Sequence, residues 1–463
     1  MEVDRLADPM SPRSLPTRSL AVAGLSTIVE WYDFTLYLYF ATVLSRIFFG
    51  GGAVGLGDAL AGFALAYLMR PVGAIVFGHI GDRYGRRVTM LLSMGMMTAA
   101  MLATAMLPTH AQVGPLAGWL MIGLRCVMAF SVGGEYTGVV AYLLEGARAG
   151  RRGFVTSLAS AASEVGALLA AGVSAITVAS LSAQSLTDWG WRIPFLVGAA
   201  LAGVILVARS TMAESPDFLR QQAQATTPAN PLAHSLRHHR AAIGRGFAIS
   251  ALGSITYYVG ITYVPSFLSA MGTTGEADAL WLSTLAALAV ILVTPMVGWL
   301  TDRVGRRPVL VTLALAGMVL PMAMFLLMQG GFGVALAGAV VLACLGGAVS
   351  AVGAVATAEQ FPGEGRLSGL AFGATSATAL FGGLTPWLAH WLIERSGWAP
   401  APGAMIALVA LCVLPVLLTL PETAPRIRKK GRPVAGSAFR VNPARGYAYA
   451  ACAASSLAGR RMR

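Results

Sequence analysis

Charge is scarce in this chain. Only 11% of its 463 residues are Asp, Glu, Lys or Arg, against about 25% in soluble proteins. With 56% hydrophobic residues and a mean hydropathy of +0.69, most of its surface must face something apolar, and a soluble protein is excluded. Cysteine is scarce too. Cys126, Cys344, Cys412 and Cys452 have no C-x-x-C spacing, so neither a disulfide framework nor a zinc site is expected. The first three lie in apolar stretches and read as small hydrophobes. There is no Walker-type glycine loop and no Ser–His–Asp setting, so no ATPase, no enzyme and no cofactor is expected. Glycine, by contrast, is abundant at 54, as in helices that pack closely within lipid.

Apolar segments long enough to cross a bilayer, roughly 20 residues each, recur near 20–48, 56–80, 88–108, 113–143, 153–180 and 191–210. After a polar stretch they resume near 243–271, 279–300, 308–328, 331–358, 367–394 and 402–420. The first is no signal peptide, being too long and containing Glu30 and Asp33. The expected fold is therefore an all-α integral membrane protein with twelve transmembrane helices in two pseudo-symmetric six-helix halves.

The net charge of +13 would suit nucleic acid, but its placement decides otherwise. Arginines fall in the connections after the even-numbered spans, including Arg148, Arg151 and Arg152. The positive-inside bias then puts both termini and the central linker in the cytoplasm. The expected organisation is a cytoplasmic N-terminal tail (1–18), a first half (19–210), a cytoplasmic linker (211–242), a second half (243–424) and a basic, disordered tail (425–463). That tail has no acidic residue and would be drawn to anionic headgroups. In the linker, His234 and His238 have the i,i+4 spacing of a metal pair, but nothing acidic or thiolate stands close in sequence to complete a site. No metal is expected. The partners foreseen are a small-molecule substrate, protons and the lipid bilayer, with no nucleic acid and a monomeric chain.

One motif occurs twice: G-H-I-G-D-R-Y-G-R-R from Gly78 to Arg87, and G-W-L-T-D-R-V-G-R-R from Gly298 to Arg307. Asp82 and Asp302 stand 220 positions apart, and Glu145 precedes Arg152 by seven as Glu359 precedes Arg366. A duplicated half-transporter explains both. Gly78, Gly85 and Gly305 permit tight turns and close helix approach, and the Asp can pair with Arg at the membrane edge. The candidate gate comprises Asp82, Arg83, Arg86, Arg87, Asp302, Arg303 and Arg306, with Glu145, Arg152, Glu359 and Arg366. An ionic latch of this kind holds only while the halves are closed at that face.

The G-x-x-x-D-R-x-G-R-R loop resembles the signature of the major facilitator superfamily. V-E-W-Y-D-F-T-L-Y (Val29 to Tyr37), R-P-V-G (Arg70 to Gly73), F-S-V-G-G-E-Y-T-G (Phe130 to Gly138), R-R-G-F (Arg151 to Phe154) and W-G-W-R-I-P-F (Trp189 to Phe195) resemble its metabolite:proton symporter family. T-Y-Y-V-G-I-T-Y-V-P-S-F-L-S (Thr256 to Ser269) and G-L-T-P (Gly383 to Pro386) are most similar to the proline/betaine branch. Other members of the family carry citrate, 2-oxoglutarate or shikimate. The resemblance implies alternating access around a cavity lined by the first, fourth, seventh and tenth helices, and proton coupling through first-helix carboxylates. After Arg125 the family pattern L-x-Q-G is replaced by Cys126-Val127-Met128-Ala129, which points to altered polar contacts there.

Ionisable side chains at mid-bilayer cost about 2.5–3.5 kcal/mol each, so those present mark candidate chemistry. Glu30, Asp33, Glu135 and Glu164 are the proton-coupling candidates, all in the first half. Glu30 and Asp33, at i,i+3, share a helix face. Arg125 reads as the arginine well inside a span. It is suited to hold a substrate carboxylate bidentately, to act as counter-ion to Glu135 or Glu164, or to pair permanently with Glu30 or Asp33 and keep that carboxylate from titrating. Tyr257, Tyr258 and Tyr263, with Trp31, are candidate substrate contacts, since aromatic faces attract a quaternary ammonium. Pro265 is the expected break in the seventh span. The function expected is proton-coupled symport of a small zwitterion or carboxylate, such as proline, betaine, citrate or 2-oxoglutarate, in a bacterial-type inner membrane. A drug/proton antiporter of the same fold is the alternative; its Gly-Pro pair in the fifth span is missing here, where 153–180 contains no proline.

Overall fold

A computed structural model describes residues 15–270 and 276–428; the basic tail from 429 on, and the expectations attached to it, lie outside the described residues. Among those described, all regular structure is helical. Ten helical stretches are long and apolar enough to cross a membrane. The first and seventh spans, which carry Glu30, Asp33 and the three tyrosines, complete twelve.

The spans run in pairs joined by tight connections. The second ends at Tyr84 and the third begins at Arg86, just as the eighth ends at Val304 and the ninth begins at Arg306. The single residues between them, Gly85 and Gly305, adopt φ of 112° and 115°, where a Cβ would be strained. The repeated motif is thus a helix–glycine–helix corner.

Several spans are interrupted where they border the interior. The fourth consists of Leu116–Gly133 and Glu135–Gly146, broken at Gly134. The seventh runs Arg240–Tyr257, then a π turn over Tyr258–Thr262, then Val264–Ala270. The break therefore precedes Pro265. Proline offers no N–H to the carbonyl four residues earlier, so the turn before it widens. The eleventh span, from Arg366 to Ser396, contains two π turns, Ala371–Thr375 and Ala379–Gly383. Irregular backbone at membrane depth is tolerated where it borders a cavity.

Each half has its own apolar core. Tyr32, Phe48, Trp191 and Phe195 fill the first; Phe267, Phe325 and Ile406 lie in the second. The halves meet where the fifth span (Arg152–Ser180) packs on the eighth (Glu276–Val304), and where the second packs on the start of the eleventh. At the end bearing the repeated loops, hereafter the motif end, Val140, Ala141 and Leu144 of the first half interlock with Val355, Ala358 and Leu370 of the second. This apolar seam closes that end.

Candidate functional site

A cavity of ≈ 180 Å³ lies between the halves. Trp31, Arg70, Tyr136 and Glu164 face it from the first half, and Tyr257, Tyr258 and Thr378 from the second. A larger vestibule, ≈ 800 Å³, shares Trp31, Tyr67, Glu164, Tyr257 and Tyr258 with it and reaches the exposed Tyr39 and Trp387 at the end opposite the motif. The interior is thus continuous towards one end and blocked by the seam at the other.

Aromatic rings and three hydrogen-bonded pairs define the chemistry inside. Trp31 meets Tyr257 edge-on at 5.3 Å between centroids. The Tyr257 hydroxyl donates to Glu164 Oε1 at 2.6 Å, and the Tyr67 and Tyr258 hydroxyls share a hydrogen bond of 2.7 Å. Both bonds cross between the halves. Arg70 donates to Glu30 Oε1 at 2.5 Å, its guanidinium over the rings of Phe34 and Tyr67. Tyr263 is buried in the core of the second half beside His390 and borders the vestibule rather than the central cavity.

The carboxylates differ in how fully each is paired. Asp33 accepts two bonds from Arg125, at 2.8 and 3.2 Å. With its donor fork engaged by Asp33, Arg125 is not the counter-ion of Glu135 or Glu164, and it is not among the residues lining the central cavity. Nor is it alone within the spans. Arg70 and Arg209 are there too, and Arg209 is the partner of Glu135. Glu135 also accepts from Ser93 (2.5 Å) and Ser26 (3.3 Å), deep in the first half. Glu30 and Asp33 do not form a carboxylate pair; each has its own arginine on a different helix.

The gate is crosswise. Asp82 pairs with Arg86 (3.1 Å) and accepts the backbone N–H groups of Leu367 (3.2 Å) and Ser368 (2.8 Å), at the start of the eleventh span. Asp302 pairs with Arg306 (3.1 Å) and accepts Gly153 and Phe154 N–H, both at 2.9 Å, at the start of the fifth. The carboxylate of each half thus caps a helix N-terminus of the other, where backbone donors lack helical partners. Gly78 lies against Leu367 and Ser368, and Gly298 against Gly153. The glutamates follow the same rule. Glu145 binds Arg86 (3.1 Å) and, across the interface, Arg366 (2.6 Å). Glu359 binds Arg306 (3.0 Å) and reaches Arg152 at 3.9 Å. Glu145 and Arg152, seven apart in sequence, are therefore not partners in space, nor are Glu359 and Arg366. Arg83 and Arg303 stand outside the latch, exposed over the rings of Tyr84 and Trp299, while Arg87 donates to the Ser210 carbonyl.

Sequence reasoning missed the residues that follow each half. Glu214 accepts the N–H groups of Arg86 and Arg87, and Glu422 those of Arg306 and Arg307. Ser215 donates to Glu145 and Thr423 to Glu359. The short runs Glu-Ser-Pro (214–216) and Glu-Thr-Ala-Pro (422–425) were the available signal. Asp217 adds a contact of 3.2 Å to Arg366, so the linker takes part in the latch. Its helix Pro231–His238 docks through Ser235, which donates to the Gly365 carbonyl at 2.9 Å. The rings of His234 and His238 stack 4.6 Å apart. Burial, then the two neighbouring imidazoles, push His239 below the usual histidine range. Among the described residues no cluster is placed to hold a metal.

Residues 19–242 match the family described as "Sugar (and other) transporter", and 273–459 match "Major Facilitator Superfamily". A proline/betaine transporter of Salmonella typhimurium is 31% identical over 432 residues, covering 90% of this chain and 86% of its own. A citrate-proton symporter of Klebsiella pneumoniae is 30% identical over 414 residues, covering 86% and 93%. An α-ketoglutarate permease of Escherichia coli is 31% identical over 382 residues, covering 80% and 87%. Among solved structures, the proton:xylose symporter XylE bound to 6-bromo-6-deoxy-D-glucose superposes with a TM-score of 0.74 at 20% identity, over 88% of this chain and 96% of that one. The twelve spans, the doubled latch and these full-length relatives agree: the chain is a multi-pass membrane protein of the major facilitator superfamily and belongs to its metabolite:proton symporter family.

Proposed function

We propose that the protein carries a small zwitterionic or carboxylate solute together with protons across a bacterial-type inner membrane by alternating access. One observation carries the reading: the central cavity combines an arginine, a carboxylate and a cluster of aromatic rings, and it sits between halves joined by bonds that break when they separate. A zwitterion needs both kinds of partner. Arg70 suits its carboxylate, and the rings of Trp31 and Tyr257, with Glu164, suit its cationic nitrogen. The names of the relatives, which are transporters of proline and betaine, citrate and α-ketoglutarate, support the same solute classes.

Proton carriage belongs to carboxylates with few partners. Glu30 has one contact to a single guanidinium, Glu164 one tyrosine hydroxyl, and Asp33 one arginine. Glu135, held by Arg209, Ser93 and Ser26, has the most partners of the four. The transporting unit is a monomer of two halves, 19–210 and 243–424. The linker 211–242 and both termini lie in the cytoplasm, consistent with the basic loops, so the motif end is the cytoplasmic gate.

The test is uptake into proteoliposomes under an imposed proton gradient, comparing L-proline and glycine betaine with citrate and 2-oxoglutarate. Accumulation of at least one of them, abolished by a protonophore, is the expected result. Transport indifferent to the proton gradient refutes symport.

A further inference from the structure

We propose that Arg70 anchors the carboxylate of the transported solute, and that solute and Glu30 compete for this one guanidinium. Binding of the solute then obliges Glu30 to take up a proton. The inference rests on the transport reading above and specifies its coupling step.

Away from the gate, three arginines of the first half, Arg70, Arg125 and Arg209, are paired with carboxylates inside the spans, and they are not equivalent. Arg125 is engaged at both ends by Asp33, and Arg209 by Glu135, Ser26 and the Met90 carbonyl. Arg70 lines the central cavity and gives Glu30 a single Nη donor. A guanidinium has five N–H donors in a planar fork, a match for an incoming carboxylate. The fork is held from the side by the rings of Phe34 and Tyr67, 5.6 and 5.1 Å away. It therefore stays in position when Glu30 lets go.

Glu30 is placed to respond. It is 1% exposed, and its Oε2 is buried without a hydrogen-bond partner. When a solute carboxylate takes Arg70, Glu30 loses its ion-pair partner in a medium that penalises an isolated charge by several kcal/mol. A proton from solvent, arriving by way of the cavity that its neighbours Trp31 and Arg70 line, neutralises it. The next residue, Trp31, lines the cavity with a buried Nε1–H that has no acceptor, a second donor for the same solute carboxylate. Tyr67, which covers Arg70, is hydrogen-bonded to Tyr258 of the other half, so the exchange is next to a contact that moves with the halves.

The charges balance. Before binding, the site holds the Arg70 cation and the Glu30 anion; afterwards it holds the Arg70 cation, the solute carboxylate and a neutral Glu30. A monocarboxylate entering with one proton moves no net charge, whereas a zwitterion entering with one proton moves one positive charge.

The experiment uses the full purified chain and glycine betaine, L-proline, citrate and 2-oxoglutarate as probes. If none is accumulated on a proton gradient, the transport reading falls, and this inference with it. With a carried probe, calorimetry in two buffers of different ionisation enthalpy counts protons taken up on binding. We expect close to one per solute on the alkaline limb, where Kd rises about tenfold per pH unit. In Glu30→Gln the uptake vanishes, Kd becomes flat with pH, and alkaline affinity exceeds wild type because the competitor is gone. Arg70→Gln weakens binding roughly 10–150-fold, as the loss of a charged anchor implies. Wild-type binding without proton uptake, uptake persisting in Glu30→Gln, or wild-type affinity in Arg70→Gln each overturns the exchange while leaving symport intact. If Arg70→Gln does not fold, the wild-type proton count and Glu30→Gln decide between the outcomes.

Discussion

Replacing Asp82 by Asn isolates one strand of the latch. The carboxylate accepts Leu367 N–H at 3.2 Å and Ser368 N–H at 2.8 Å, one on each oxygen. An amide keeps one acceptor but turns the other position into a donor facing a donor. One charge-assisted bond is therefore lost, worth about 1.5–3 kcal/mol, and it exists only while the motif end is closed. The closed-to-open ratio should fall roughly 10–150-fold. Leu144 provides the reporter: it is 1% exposed in the seam between the halves. In a background with the native cysteines removed, a Leu144→Cys variant should react slowly with maleimide, and Asp82→Asn should speed that reaction by the same factor. Asp302→Asn, whose two bonds are both 2.9 Å, should act alike. A folded, monodisperse Asp82→Asn protein labelled within about twofold of wild type would refute this reasoning.

Arg125→Gln should lower stability by about 3–5 kcal/mol, because it strands a buried Asp33. The double variant Asp33→Asn/Arg125→Gln should recover much of this in thermal unfolding. Gly73→Ala should abolish folded yield on size exclusion, since a Cβ there would stand 1.8 Å from the Phe130 carbonyl oxygen on a neighbouring helix backbone. Trp31→Leu should raise KM for glycine betaine roughly 2–30-fold, the range of a cation–π contact of about 0.5–2 kcal/mol. For citrate, which loses only the Nε1–H donor and no cation–π contact, KM should rise less than for glycine betaine, and uptake assays in proteoliposomes separate the two.

The spans, their number and the duplication were legible in the sequence because each is written locally. Twenty apolar residues must be a span, and a ten-residue motif recurring after 220 positions is an internal repeat. The pairings across the halves were not legible, because nothing local in the sequence records which distant segment packs against which. Glu145 and Arg152 are seven apart, yet each finds its partner in the opposite half, at Arg366 and Glu359. Arg125 reads from the sequence as the lone arginine well inside a span, although Arg70 falls within the expected second span (56–80) and Arg209 at the end of the sixth (191–210). Only the fold shows that both point inward. Glu214 and Glu422 escaped notice for a related reason: a glutamate just beyond a span looks solvated until a helix N-terminus is found above it.

The crosswise caps explain why a duplicated motif makes a switch rather than a clamp. Had Asp82 capped a helix of its own half, its bonds would survive any rocking of the halves and bias nothing. Because it caps the eleventh span, and Asp302 the fifth, each bond joins the two halves and must break if they part at this end. The net value per bond is small, about 1.5–3 kcal/mol, which suits a gate that must open within a transport cycle. The two sides are unequal, however. Arg366 holds Glu145 at 2.6 Å and is backed by Asp217 of the linker, whereas Arg152 reaches Glu359 only at 3.9 Å and is 32% exposed. Solvent screens the second pair more strongly. Opening should therefore begin where the fifth span meets the tenth, with the linker side the last to part.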